Sequence, residues 1–211
     1  MDHNKLIAAA AKKGLTPLGL RRDGKSRIWY DDHGWWVIVV EFQPSGWSRG
    51  SYLNVAVSWL LYEQGHWTFD VGGREEGFKS ADNPEQFEAA IDAMASHAAQ
   101  CVQRHRRSFD SLERMYAHYA GINLRSIWVE YYAAVLAGLS GNSSAAERHF
   151  STALAGPCRF AWEHGLRLRC QDLLRFLPQP EAFRDSVLGI VLRSRAARGL
   201  EEMPIDEIAL P

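Results

Sequence analysis

The residues able to do chemistry in this chain are three cysteines, eight histidines and a glycine-bearing acidic run, and their spacing limits what they can do. Cys158, His164 and Cys170 are each separated by five intervening residues. That fits no zinc pattern, and a helix would carry them on different faces. The chain has no His-Glu-x-x-His run to hold a catalytic metal and no Gly-x-Ser-x-Gly elbow to expose a nucleophile. Cys158 follows Ala155, Gly156 and Pro157 with His164 nearby, and reads as a buried or capped thiol. The run DVGGREEG (residues 70–77) has glycines but lacks the Gly-Lys-Ser/Thr ending of a phosphate loop. The pairs Glu75-Glu76 and Asp31-Asp32 read as solvated carboxylates. The expectation is therefore no catalytic residue, no metal and no cofactor.

Positive charge gathers in QRHRRSF (residues 103–109), at the end of a helix whose dipole favours cations there. A net charge of -1 gives the chain no general pull toward nucleic acid or anionic lipid. Nucleic-acid binding through Arg21, Arg22, Arg104, Arg106 and Arg107 is kept as an alternative only.

Aromatic residues offer the other chemistry. Six of the eight tryptophans fall between Trp29 and Trp67, which raises the choice between a ring-stacking site and a sheet core. Trp59 is in phase with Leu53, Val55, Val57 and Leu61, and Trp36 with Ile38, Val40 and Phe42, so both belong to a core. Alternation puts Trp35 on the opposite face beside Val37 and Val39, under a helix. Trp47 differs. It lies in QPSGWSRGSY (residues 43–52) with Arg49 and Tyr52, in a loop where a core role is least obvious. A second loop, read over residues 72–79, adds Arg74 and Phe78. Loops on a rigid sheet carry binding residues, and Trp, Tyr and Arg dominate interface energetics. Trp47 is expected to be exposed, against the alternative that its ring folds back to cap the core, and these five residues form the candidate binding surface.

The elements that must position them follow from pattern. Residues 3–13 read as a helix stopped by Gly14. Asp23-Gly24 signals a hairpin between strands near 19–22 and 27–31, because the turn needs a positive φ. Residues 35–42 are apolar on both faces, residues 52–62 alternate, and residues 66–71 supply a fifth strand. Asn83-Pro84 caps a long helix over 84–107 with one buried stripe. From residue 121 the chain reads as helices, ending in an irregular tail at 201–211. The fold class is α+β: an antiparallel sheet of four to five strands against a long helix, with a 1–120 domain followed by a mainly helical part at 121–211.

Two resemblances add to this. Leu15, Gly19, Leu20, Arg21, Arg22, Trp29, Tyr30, Gln43 and Asn54 lie in the order of a bacterial domain-of-unknown-function family, number four thousand three hundred and four, over roughly residues 5–120. Leu20 stands where that family more usually has Phe. The resemblance implies no enzyme activity, and some members' proximity to contact-dependent toxin systems implies an immunity-like role. Residues 126–157 resemble a tetratricopeptide-type helical hairpin, with Ala146, Phe150 and Ala153 in small-large-small spacing, but no second copy follows.

The preferred function is a non-enzymatic, cytoplasmic protein-binding module of bacteria, of immunity or adaptor type, with another protein as partner. The main alternative is a small-ligand binder or enzyme with a site between sheet and helices. No apolar run is long enough for a membrane span, and nothing at MDHNKL reads as a signal-peptide core.

Overall fold

Side-chain alternation in the first hundred residues is converted into a five-stranded antiparallel sheet that runs in strict sequence order. The computed structural model describes residues 2–123 and 126–210. The strands are β1 (Arg21–Arg22), β2 (Ile28–Asp32), β3 (Trp36–Gln43), β4 (Gly50–Trp59) and β5 (Val71–Ser80). Register sets Trp36 against Trp59, Ile38 against Val57, Val40 against Val55 and Phe42 against Leu53. That face is the core face, and all eight of these side chains are buried. Val37, Val39 and Ala56 on the reverse face are also fully buried, which is why β3 reads as apolar on both sides. The same face turns polar toward the β3–β4 connection, with Glu41, Gln43, Tyr52 and Asn54.

Two helices complete this unit. In α1 (His3–Leu15), Asp2 Oδ1 accepts from the Asn4 N–H at 3.0 Å, and Leu6, Ile7, Ala10, Ala11 and Leu15 form the buried stripe. The helix runs through Gly14 instead of stopping there. A Cβ on Gly14 would lie 3.3 Å from the Ala95 side chain and carbonyl, so this glycine lets two helices approach and does not end one. The second helix is α2 (Pro84–Ser108), whose first turn is capped by Asn83 Oδ1 accepting from the Gln86 N–H at 3.1 Å. Its stripe Phe87, Ile91, Met94, Ala98, Cys101, Val102 and His105 is buried as the spacing predicts.

Three expectations need correcting. The fifth strand is at 71–80 rather than 66–71, and the segment read as a loop over 72–79 is that strand. Its glycines resemble those of a loop. At Gly72, with φ +102, a Cβ would sit 2.5 Å from the Val55 carbonyl oxygen, so the glycine marks close backbone approach to β4. Trp35 lies outside β3, so alternation does not govern it. Its ring stacks on Trp59 at 5.8 Å, where Trp36 also packs.

The chain divides into two compact units: one of Met1–Leu60 with Gly65–Arg107, the other of Leu61–Gln64 with Ser108–Pro211. The helical unit thus takes in α3 (Leu112–Ala120), ahead of the expected start at 121. It continues through α4 (Ile127–Leu139), α5 (Ser143–Ala155), α6 (Ala161–Phe176) and α7 (Pro180–Ala197). Ala146, Phe150 and Ala153 are buried in the α4–α5 hairpin, as their small-large-small spacing requires. Leu61–Gln64 is stitched in by Tyr131 Oη donating to the Leu61 carbonyl at 2.6 Å, Ser194 Oγ donating to the Tyr62 carbonyl at 3.0 Å, and Arg193 Nε on Glu63 at 2.8 Å. The tail is irregular but docked, with Ile208 and Leu210 buried and Arg184 bonded to the Leu210 carbonyl at 2.7 Å; its last residue lies outside the described ones. Among the described residues, no helix is long and apolar enough to cross a membrane.

Candidate functional site

The polar end of the sheet is assembled by cross-strand neighbours. Asn54 lies opposite Arg74, and Gln43 opposite Tyr52. Arg74 donates through Nε to Asn54 Oδ1 at 2.8 Å and through Nη2 to Gln43 Oε1 at 2.6 Å. Those two bonds place the guanidinium over the Tyr52 ring, 4.0 Å from its centroid. The Phe78 ring also packs on Tyr52, with centroids 5.1 Å apart. Asn54 Nδ2 donates to Glu41 Oε2 at 2.7 Å and closes the network. Three of the five expected surface residues, Tyr52, Arg74 and Phe78, therefore meet, although the segment carrying Arg74 and Phe78 is a strand.

The other two stand apart. Trp47 is 98% exposed, the highest value of any large apolar side chain among the described residues. Its backbone N–H bonds Ser45 Oγ at 3.1 Å, which shapes the loop tip, and its indole stacks on none of the described rings. Arg49 is exposed and makes no ion pair among the described residues. Its charge is felt at His3, whose pKa is held low by burial first and then by Arg27 and Arg49.

A second cluster went unrecognised in the sequence. The β4–β5 ladder slips between Leu53 and Asn54, leaving Glu75 as an extra residue that reaches α2. His97, Cys101 and Arg104 meet it from one face of that helix. His97 Nε2 lies 3.4 Å from Glu75 Oε2 and 3.5 Å from Cys101 Sγ. Arg104 Nη2 donates to Glu75 Oε1 at 2.7 Å and to Cys101 Sγ at 3.4 Å. Burial pushes the Cys101 thiol up to about 11, and the Glu75 carboxylate adds to it against the opposing pull of Arg104. Partial burial works against ionised Glu75, but hydrogen bonds from Arg104 and Cys101 prevail and hold it below its ordinary value. The available signal was the spacing 97, 101, 104 on one helical face; Glu75 was hidden in the supposed loop.

The helical unit has an aromatic pocket of about 440 Å³, also missed. Trp128 stacks on Trp162 at 5.7 Å and Phe160 on Trp162 at 6.2 Å, while Arg159 and Arg167 line the pocket. Glu163 fixes the corner by accepting the backbone N–H groups of Arg159 and Phe160. Glu130, also lining it, is buried against His149 Nδ1 at 2.7 Å.

The remaining sequence candidates are dispersed. Cys170 is buried, Cys158 half-buried and His164 exposed, and they do not gather as ligands; among the described residues Glu75, His97 and Cys101 are the group that does. Of the five arginines considered for nucleic acid, Arg104 is bound by Glu75 and Arg106 by Asp31, and Arg22 bonds the Lys25 and Ser26 carbonyls. The chain matches no family model, no curated protein and no solved structure.

Proposed function

We propose that this chain is a non-enzymatic protein-binding module of immunity or adaptor type, and that the β3–β4 loop is its contact surface. The observation that supports this reading is Trp47, held at a loop tip with 98% of its surface in water while Trp29, Trp35, Trp36 and Trp59 are buried. A free indole is the side chain best able to supply interface energy when a partner covers it. Arg49 beside it, free of ion pairs among the described residues, suits a partner that presents carboxylates. The stacked Arg74–Tyr52–Phe78 group adds a preorganised base on the same sheet end. A bacterial setting and a toxin-associated partner are what the resemblance over residues 5–120 implies. The test uses wild-type and Trp47→Ala proteins as paired baits, followed by calorimetry with the purified captured protein. Trp47→Ala is expected to keep the circular-dichroism spectrum and the midpoint of unfolding, within about 0.5 kcal/mol, and to weaken the complex at least tenfold, about 1.4 kcal/mol. Equal affinity for both baits removes this loop from the binding surface.

A second reading, small-ligand binding, is supported by the Trp128–Trp162–Phe160 pocket, whose rings and balanced arginines and carboxylates suit a planar polar ligand. Quenching of tryptophan fluorescence by such a ligand, abolished in Trp162→Ala, would favour it over the first.

A further inference from the structure

We propose that Glu75, His97 and Cys101 form a binding site for a divalent transition-metal ion of the zinc class, with a fourth position left to water. The ligand atoms of the three side chains lie within 4.8 Å of one another. Two of the three edges match a tetrahedral ion. With metal bonds of about 2.3 Å to sulfur and about 2.0 Å to nitrogen and oxygen, a tetrahedral site has a sulfur–nitrogen edge of about 3.5 Å and a nitrogen–oxygen edge of about 3.3 Å. The observed separations are 3.5 Å for His97 Nε2 to Cys101 Sγ and 3.4 Å for His97 Nε2 to Glu75 Oε2.

Hydrogen bonds hold the group in the absence of an ion, with Arg104 and the Cys101 thiol donating to Glu75. One ring nitrogen, His97 Nε2, faces a sulfur and a carboxylate oxygen at once, and it has a single site with which to donate or accept. A cation at the centre satisfies all three together. One sulfur, one nitrogen and one oxygen select zinc or cobalt over calcium or magnesium, which take oxygen ligands. The positions are firm. His97 and Cys101 are one helical turn apart in a 25-residue helix, and Glu75 is aimed by the ladder slip. Arg104 grips Glu75 Oε1 and leaves Oε2 toward His97, the role of an outer residue that orients a ligand. The His97 side chain is 34% exposed, so an ion can reach a site whose sulfur is closed to solvent. Binding replaces the Cys101 S–H bond with a sulfur–metal bond and releases one proton to solvent.

The test is titration of chelator-treated full-length protein with cobalt(II), followed by competition with zinc. One equivalent of cobalt is expected, with a sulfur-to-cobalt charge-transfer band in the near ultraviolet and the intense visible bands of a four-coordinate ion. Cys101→Ser should abolish the charge-transfer band. His97→Ala, on a partly exposed helix face and so compatible with folding, should weaken zinc binding by at least about tenfold. Glu75→Gln should weaken it as well, and Cys158→Ser should change neither band nor affinity. Absence of one-equivalent binding to the folded protein, or a charge-transfer band that survives Cys101→Ser or disappears in Cys158→Ser, overturns the assignment.

Discussion

Trp59 and Trp162 each sit on a regular element with another indole stacked on them, Trp35 at 5.8 Å in one case and Trp128 at 5.7 Å in the other. Trp59 keeps 1% of its surface in water and Trp162 keeps 46%. The ring pairing is the same, so the difference comes from what surrounds the pair. Trp59 ends an interior strand, has Trp36 opposite it in β3, and packs against both Trp35 and Trp36. Trp162 is the second residue of α6. Helical side chains lean toward the N-terminus, and at the second position no preceding turn exists to cover them. Stacking therefore does not mark a core: Trp162 has both Trp128 and Phe160 stacked on it, stays half exposed, and lines a pocket.

That contrast can be broken at its strong end first. Trp59→Ala should destabilise by about 3–5 kcal/mol in urea unfolding, the usual cost of removing a buried aromatic; a change below about 1 kcal/mol would deny the core assignment. Asp31 tests the polar part of the same face. It is buried, and its Oδ2 takes His33 Nε2 and Arg106 Nε, each at 2.8 Å. Burial opposes its ionisation, yet the bonds from His33 and Arg106 outweigh that and lower its pKa. A lowered folded pKa gives stability that is fully present above the unfolded value of about 3.9 and is lost as pH falls through the folded value. Asp31→Asn should therefore cost about 1.5–3 kcal/mol near neutrality, the range for a hydrogen bond to a charged group. The gap to wild type should narrow in unfolding series taken below pH 4, and a gap that stays constant would deny the linkage. At the weak end, Trp162→Ala should shift the unfolding free energy by no more than about 1 kcal/mol, as a half-exposed site allows. A loss as large as that of Trp59→Ala would show that the aromatic column is core after all.

Legibility in the sequence follows the same division. The alternation at 53–61, the Asn83-Pro84 cap and the buried stripe of α2 are local patterns, and each has one structural outcome. Trp47 was legible because serine and glycine around it gave no strand or helix a claim on the ring. β5 was not, since Gly72 and Gly73 resemble a loop until β4 is seen pressed against them. The Glu75–His97–Cys101 group joins a strand to a helix, and only register reveals it. Phe160 and Trp162 follow a break at Gly156 and Pro157, where periodicity gives no phase to extend.

The four residues Leu61–Gln64 belong to the helical unit although the sheet unit flanks them on both sides in sequence. Tyr131 is 70 positions from its Leu61 partner, and Ser194 is 132 from Tyr62. During synthesis this short segment leaves the ribosome long before α4 and α7 exist, and it must wait for them. A cut between Arg107 and Ser108 would therefore not release two autonomous halves. The C-terminal fragment would lack the carbonyls that Tyr131 and Ser194 bond and the carboxylate that Arg193 pairs with, so the helices can be completed only by a chain that carries its own earlier segment.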